Sequence, residues 1–229
     1  MEVPTISIDI TLLLDISKSM KQQDCQITES YVFEFFELSP RTIDEQFLLE
    51  LRAALANKRI RRSFAMDILA QVIKEKLLGK INSVTIVWFN DKVGVLEFGK
   101  ERKNSIALNN KQDIVSAKVL SRAIHQVCKV SQGGTNLSIG LSKIASIRKT
   151  SKIVLITDGV WNLGYHPATI LISNNLNLSI IDVGKADKEK IESLKELCTI
   201  GRGVYIHIND INRKSIKQVD LIENWILTS

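Results

Sequence analysis

The chain has 229 residues, 45% of them apolar and 24% charged, which excludes a disordered segment or a fibre and supplies enough apolar side chains for one sizeable core. The formal charge of +6 is spread over 31 basic and 25 acidic residues, too thinly to mark a dedicated polyanion binder. Cys25, Cys128 and Cys198 are odd in number and share no metal-type spacing, so reduced thiols are expected in place of a disulfide framework or a zinc site.

No stretch approaches 18 apolar residues, and the opening MEVPTISIDI carries an acid and a proline where a leader has a basic and then an apolar segment. A cytoplasmic protein without a membrane span is the expectation. In chain order, residues 6–14 alternate and then become wholly apolar, as in a strand buried on both faces of a parallel sheet. That strand ends on Asp15, followed at alternate positions by Ser17 and Ser19. Residues 21–62 then intervene before the next convincing amphipathic helix. Tyr31, Phe33, Phe35 and Phe36 crowd into its first part. Thr42 and Glu45 have capping-box spacing ahead of the stripe Ile43, Phe47, Leu48, Leu51 and Leu55. A helical insertion is expected, its aromatics serving as a local anchor or, through Tyr31, Phe33 and Phe35, as a partner-binding surface.

Lys58, Arg59, Arg61 and Arg62 close the insertion as its densest basic point, a solvated stretch by default and a phosphate-binding patch in the alternative. Ala65, Ile68, Leu69, Val72, Ile73 and Leu77 then recur at helical steps before Gly79. Residues 84–89 read as a strand, and 93–98 follow after only three residues, too few for a parallel crossover. An antiparallel hairpin at the sheet edge is expected. Helical patterns at 114–127, 137–147, 191–197 and 216–227 alternate with strands at 153–156 and 178–183. The fold class is therefore α/β: one doubly wound, mostly parallel sheet with one antiparallel edge strand and helices on both faces. One domain over 1–229, with 21–62 inserted in it, is the expected organisation.

In such a sheet, ligands gather beyond the carboxyl ends of the strands. Asp15 stands at one end and Asp158, between Thr157 and Gly159, at another. The stretch SQGGTNLSIG lies between them and carries Thr135 after two glycines. Asp15, Ser17, Ser19, Thr135 and Asp158 are hard oxygen ligands with two formal charges, a set suited to Mg²⁺ with positions left for other ligands.

The ordered set Asp15-Ile-Ser17-Lys-Ser19, Gly133-Gly134-Thr135-Asn136 and Thr157-Asp158-Gly159 resembles the metal-ion-dependent adhesion site of von Willebrand factor A domains, a likeness that covers nearly the whole chain. It implies a Rossmann-like fold and a Mg²⁺ or Mn²⁺ ion held directly by the hydroxyls of Ser17, Ser19 and Thr135. Asp15 and Asp158 would act through waters or by orienting the hydroxyls, and an Asp or Glu carboxylate of a partner protein would complete the ion. The resemblance implies an interaction module rather than an enzyme, working beside an ATPase or in a multi-subunit complex. The insertion departs from the family pattern; emerging beside the ion, it is expected to act as a lid or a selectivity surface. Trp161, three residues after Asp158, is a candidate rim contact.

Catalysis finds little support. A metal-dependent phosphohydrolase would use Asp15 as a phosphoryl acceptor, yet haloacid-dehalogenase-like phosphatases carry a second aspartate where this chain has Ser17. No Gly-x-Ser-x-Gly elbow or phosphate-binding loop is present, and His125, His166 and His207 stand outside any triad pattern. A nucleic-acid-associated scaffold using Lys58 to Arg62 is the remaining alternative and is not favoured.

Overall fold

The computed structural model describes residues 8–28, 31–39, 41–110, 114–147, 152–159, 161–185 and 188–228. The first strand, β1 (Asp9–Asp15), is buried almost throughout. A 3-10 turn (Lys18–Lys21) and the short β2 (Cys25–Ile27) follow. The intervening segment holds α1 (Tyr31–Glu37), α2 (Glu45–Asn57) and β3 (Arg59–Ile60) before α3 (Arg62–Leu77). Next come β4 (Ser83–Phe89), β5 (Val93–Val95), β6 (Ile106–Ala107), α4 (Ile114–Lys129) and α5 (Leu137–Ile147). The chain continues through β7 (Lys152–Thr157), α6 (Pro167–Asn174), β8 (Asn177–Val183) and α7 (Lys188–Ile200). It closes with β9 (Arg202–Ile208), β10 (Asp210–Ile211) and α8 (Arg213–Leu227).

The main sheet runs β5-β4-β1-β7-β8-β9, with β6 also on β4. Pairings β1–β4, β1–β7, β7–β8 and β8–β9 are parallel. The one expected antiparallel edge strand is two short pieces, because β5 pairs with the upper half of β4 and β6 with the lower half. Alternation along the strands divides the core. Ile10, Leu12 and Leu14 join Val154 and Ile156 against residues of α3, α4 and α8. Leu13, with Ile153 and Leu155, faces Leu137, Leu141 and Leu194 on the opposite side. This period-2 division puts helices on both faces. Among the described residues, no helix is long and apolar enough to cross a membrane.

The segment between β1 and α3 forms an extra layer outside α3. The turn between α1 and α2 meets the last turns of α3, where the Lys74 ammonium donates to the Thr42 carbonyl at 2.6 Å. α2 then returns along α4 through the pairs Glu45–Lys118 and Glu50–Lys129. Val32, Phe36, Ile43, Phe47 and Leu51 are buried in the same core as the sheet, so the layer is integral to the packing. The expected capping box does not form: Thr42 Oγ1 donates to Ser39 O and to Glu75 Oε1, and Asp44 takes the N-cap position. A hydroxyl engaged in a tertiary contact is lost to the helix end. A second sheet, β10-β2-β3, ties the start and end of this layer to the approach to α8.

Candidate metal centre

Parallel pairing in register fixes the ends of β1 and β7 side by side, with Leu14 opposite Ile156. Asp15 is fully buried there; its Oδ1 accepts the Ser17 amide at 2.9 Å and its Oδ2 accepts the Thr157 hydroxyl at 2.6 Å. The first bond bends the chain immediately after β1 and turns the next two hydroxyls to one side, placing Ser17 Oγ and Ser19 Oγ 2.9 Å apart. The loop that carries Thr135 is stitched to the same turn: Gln132 N donates to Ile16 O at 2.8 Å and Lys18 N to Gly133 O at 3.1 Å. Gly133 has φ of +75°, and a Cβ there would stand 2.2 Å from Asp91 Oδ1, so glycine is required for this approach.

Thr135 is held from the other side. Asn162 Oδ1 accepts the Thr135 amide at 3.0 Å, while the amides of Asn162 and Leu163 donate to the Thr135 carbonyl. Asn90, buried at the end of β4, donates through Nδ2 to Gln132 O, and its carbonyl accepts the Asn136 amide. Asn90 and Asn162 therefore hold the Thr135 loop in place, a role that no motif in the sequence announces. Only their places just after strand or loop ends could have flagged them.

Asp158 is also fully buried. Its Oδ2 accepts from Arg62 Nη1 at 2.9 Å, whereas its Oδ1 has no hydrogen-bond partner among the described residues. Burial, followed by the neighbouring Asp158 charge, pushes the Asp15 carboxyl from its usual 3.8 to about 7. Two carboxylates confined out of water call for a cation, and a buried oxygen without a donor is the kind of group that an ion or its bound water satisfies. Among the described residues, no group of three or more His, Cys, Asp and Glu side chains could hold a metal. A chelate here must draw on hydroxyls, which suits a hard cation.

The basic cluster is divided by the fold. Lys58, Arg59 and Arg61 are exposed, but Arg62 is buried. Its guanidinium engages Asp24 through Nε–Oδ1 at 2.8 Å and Nη2–Oδ2 at 2.5 Å, in addition to Asp158. Burial opposes its charge, but the hydrogen bonds and charges of Asp24 and Asp158 outweigh burial and hold it protonated. The expectation of four solvated cations is corrected to three, because Arg62 is consumed inside the protein.

The aromatic candidates separate as well. Trp161 is half-buried on the loop that holds Thr135, its ring edge-on to His166, with Leu163 and Tyr165 exposed beside it. Tyr31, Phe33 and Phe35 are not brought to this loop cluster. They pack on the outer layer beneath Arg213, Arg52 and Lys76 respectively. Lys76 belongs to the last turn of a 16-residue helix that starts at the site and spans roughly 24 Å. Beyond Asp24, the helices of the segment between β1 and α3 pack along α3 and α4.

A search of the curated proteins found no match. Among solved structures, the chain is similar to the conserved hypothetical protein BatB from Bacteroides thetaiotaomicron, with a TM-score of 0.62 and 16% identity, covering 97% of this chain and 100% of that one. The manganese-loaded TRAP protein of Plasmodium vivax gives a TM-score of 0.55 at 16% identity over 98% of this chain and 75% of that one. The SpRpn10 VWA domain gives 0.53 at 14% identity over 96% and 95%. These likenesses establish the fold. The family model of the von Willebrand factor type A domain matches residues 67–219, a span that begins after the Asp15 motif, the extra layer and Arg62. The chain belongs to the von Willebrand factor type A domain family.

Proposed function

We propose that the chain is a divalent-metal-dependent protein-interaction module, one domain over 1–229 with 21–62 inserted in it. The hydroxyls of Ser17, Ser19 and Thr135 would hold Mg²⁺ or Mn²⁺, with Asp15 and Asp158 acting through bound water. The remaining position would be taken by an Asp or Glu carboxylate of a partner. The observation that carries this reading is the buried Oδ1 of Asp158, without a partner among the described residues, in the same loop cluster as the Ser17–Ser19 hydroxyl pair. An ion sharing only two carboxylates stays electrophilic and favours an external anion.

Trp161, Leu163 and Tyr165 supply an apolar margin on the loop that holds Thr135, a setting for the flanking residues of the partner's acidic segment. A cytoplasmic setting is supported by three buried, free cysteines. A multi-subunit or ATPase-associated assembly fits a module that binds without catalysing. The module reading is preferred to a hydrolase because the matching family is one of interaction modules.

Calorimetric titration with Mn²⁺ or Mg²⁺ tests the reading. Asp15→Ala and Thr135→Ala should each abolish saturable binding while circular dichroism stays that of the wild type. Unchanged affinity in both variants would overturn it. Capture of a protein partner should then be lost on chelation, whereas steep salt dependence indifferent to chelator would point to phosphate contacts.

A further inference from the structure

Arg62 does not reach Asp158 by accident of a flexible side chain. Its amide donates to Gln22 O at 2.9 Å, fixing the first residue of α3 against the chain that leaves the site. Its guanidinium is gripped by both oxygens of Asp24. The slot also depends on Gly184, just after β8, where a Cβ would lie 2.3 Å from Arg62 Nε. Three separate stretches of chain thus build a place for one cation, and that cation touches one oxygen of a proposed metal-site carboxylate.

We propose that Arg62 is a built-in cation of the metal site that competes with the divalent ion for Asp158 and holds its affinity down. The inference rests on the metal reading above. Asp158 is shared, with Oδ2 given to the guanidinium at 2.9 Å and Oδ1 without a partner among the described residues. An ion drawn to Oδ1 meets a carboxylate whose charge is already partly spent, and feels the repulsion of a fixed positive charge across it. Asp24 moderates this effect, because it draws the guanidinium's charge away from Asp158 through a two-point contact. A site weakened in this way follows the level of free cation instead of being permanently loaded.

Metal affinity alone reads the proposal, using Mn²⁺ as the probe and calorimetry on the full chain. Arg62→Gln, which removes the charge, should bind Mn²⁺ about tenfold more tightly or better, since a unit charge is lost at contact distance from a ligand carboxylate. Asp24→Asn, which frees the guanidinium to act on Asp158 alone, should bind Mn²⁺ several-fold more weakly. The opposite signs are the signature. A merely structural clasp would loosen the site in both variants and weaken both. Arg62→Gln binding no tighter than wild type, or Asp24→Asn binding more tightly, would overturn the inference and leave the metal reading standing. If neither wild type nor Arg62→Gln binds Mn²⁺, both fall together. Should Arg62→Gln fail to fold, Arg62→Met, which keeps a long side chain without the charge, takes its place with the same expected gain, and Asp24→Asn can still overturn the inference by binding Mn²⁺ more tightly.

Discussion

The two ends of α3 carry buried charges that differ in what they leave open. Toward its C-terminal end, Lys74 is fully enclosed, pairs with Glu75 at 2.7 Å and donates to the carbonyls of Thr42 and Ala117. Burial lowers its pKa, and the Glu75 charge opposes that shift. One turn from the start, Asp67 is buried against His125 at 2.5 Å and accepts from Gln71. Both are inward-facing fastenings that hold the inserted layer and α4 to the helix. At the N-terminal end, Arg62 is paired as fully, yet its partner Asp158 keeps one buried oxygen without a partner among the described residues. Charges that close on one another hold structure, whereas the oxygen that Asp158 leaves open is the one the proposed ion would use.

The largest test of this contrast falls on the closed pairs, beside the Asp67–His125 contact near the start of α3. Phe47 is fully buried and sets its ring 5.2 Å from Phe36 and 5.9 Å from both Phe64 and His125. Phe47→Ala should destabilise the fold by about 3–5 kcal/mol in urea denaturation, with Mn²⁺ affinity of the folded fraction unchanged. A parallel loss of affinity would mean that the two ends are not independent.

At the open end the sign of the pH dependence is distinctive. The folded-state pKa of Asp15 is raised, first by burial and then by Asp158, so its protonated form is favoured in the fold. Its contribution is complete below the unfolded value of 3.8 and is lost as pH rises through about 7. Without divalent cation, the chain should therefore gain on the order of 2 kcal/mol from this group between pH 7 and pH 5. Saturating Mn²⁺ should flatten that dependence. Chemical denaturation at both pH values, with and without the ion, measures it, and a metal-free chain indifferent to pH in this window would contradict the assignment.

A smaller effect is expected at Gly133, where the positive φ and the nearby Asp91 carboxylate both oppose a side chain. Gly133→Ala should lower stability by about 1 kcal/mol and weaken Mn²⁺ binding through displacement of the Thr135 loop. Arg61, exposed one residue before Arg62, sets the lower limit. Arg61→Ala should change stability by no more than about 0.5 kcal/mol and leave metal affinity as it is, in contrast with its neighbour. A large effect there would show that the division of the basic cluster is drawn in the wrong place.

Much of the framework was legible because periodicity reports burial directly. The strand ending at Asp15, the hairpin at β4–β5 and the helices at 114–129 and 137–147 follow from apolar spacing. β9 was not recognised. It lies at the sheet edge, is half-buried along most of its length and lacks a clear apolar alternation. The two-residue strands β3, β6 and β10 gave no periodic signal, since they exist only by pairing with distant partners. Within the candidate site, the oxygen-bearing residues were visible because their types and order are unusual, whereas the supports Asn90 and Asn162 are common loop residues whose roles appear only through contacts with Gln132, Asn136 and Thr135.

The sequence alone determined the α/β class and the identity of the oxygen-bearing loops, because local hydrophobic period and strand-end chemistry are written in consecutive residues. The tertiary structure decided the fate of the basic run and of the inserted aromatics. Lys58, Arg59, Arg61 and Arg62 are equivalent as a string of charges, yet the short β3 and the start of α3 send only Arg62 inward to Asp24 and Asp158. Tyr31, Phe33 and Phe35 follow the site motif closely in the chain, but the turn at Thr42 is secured to Lys74 and Glu75 and packs them along the outer layer. Which charge is buried, and beside which partner, depends on contacts between residues far apart in the chain, and no local pattern encodes those contacts.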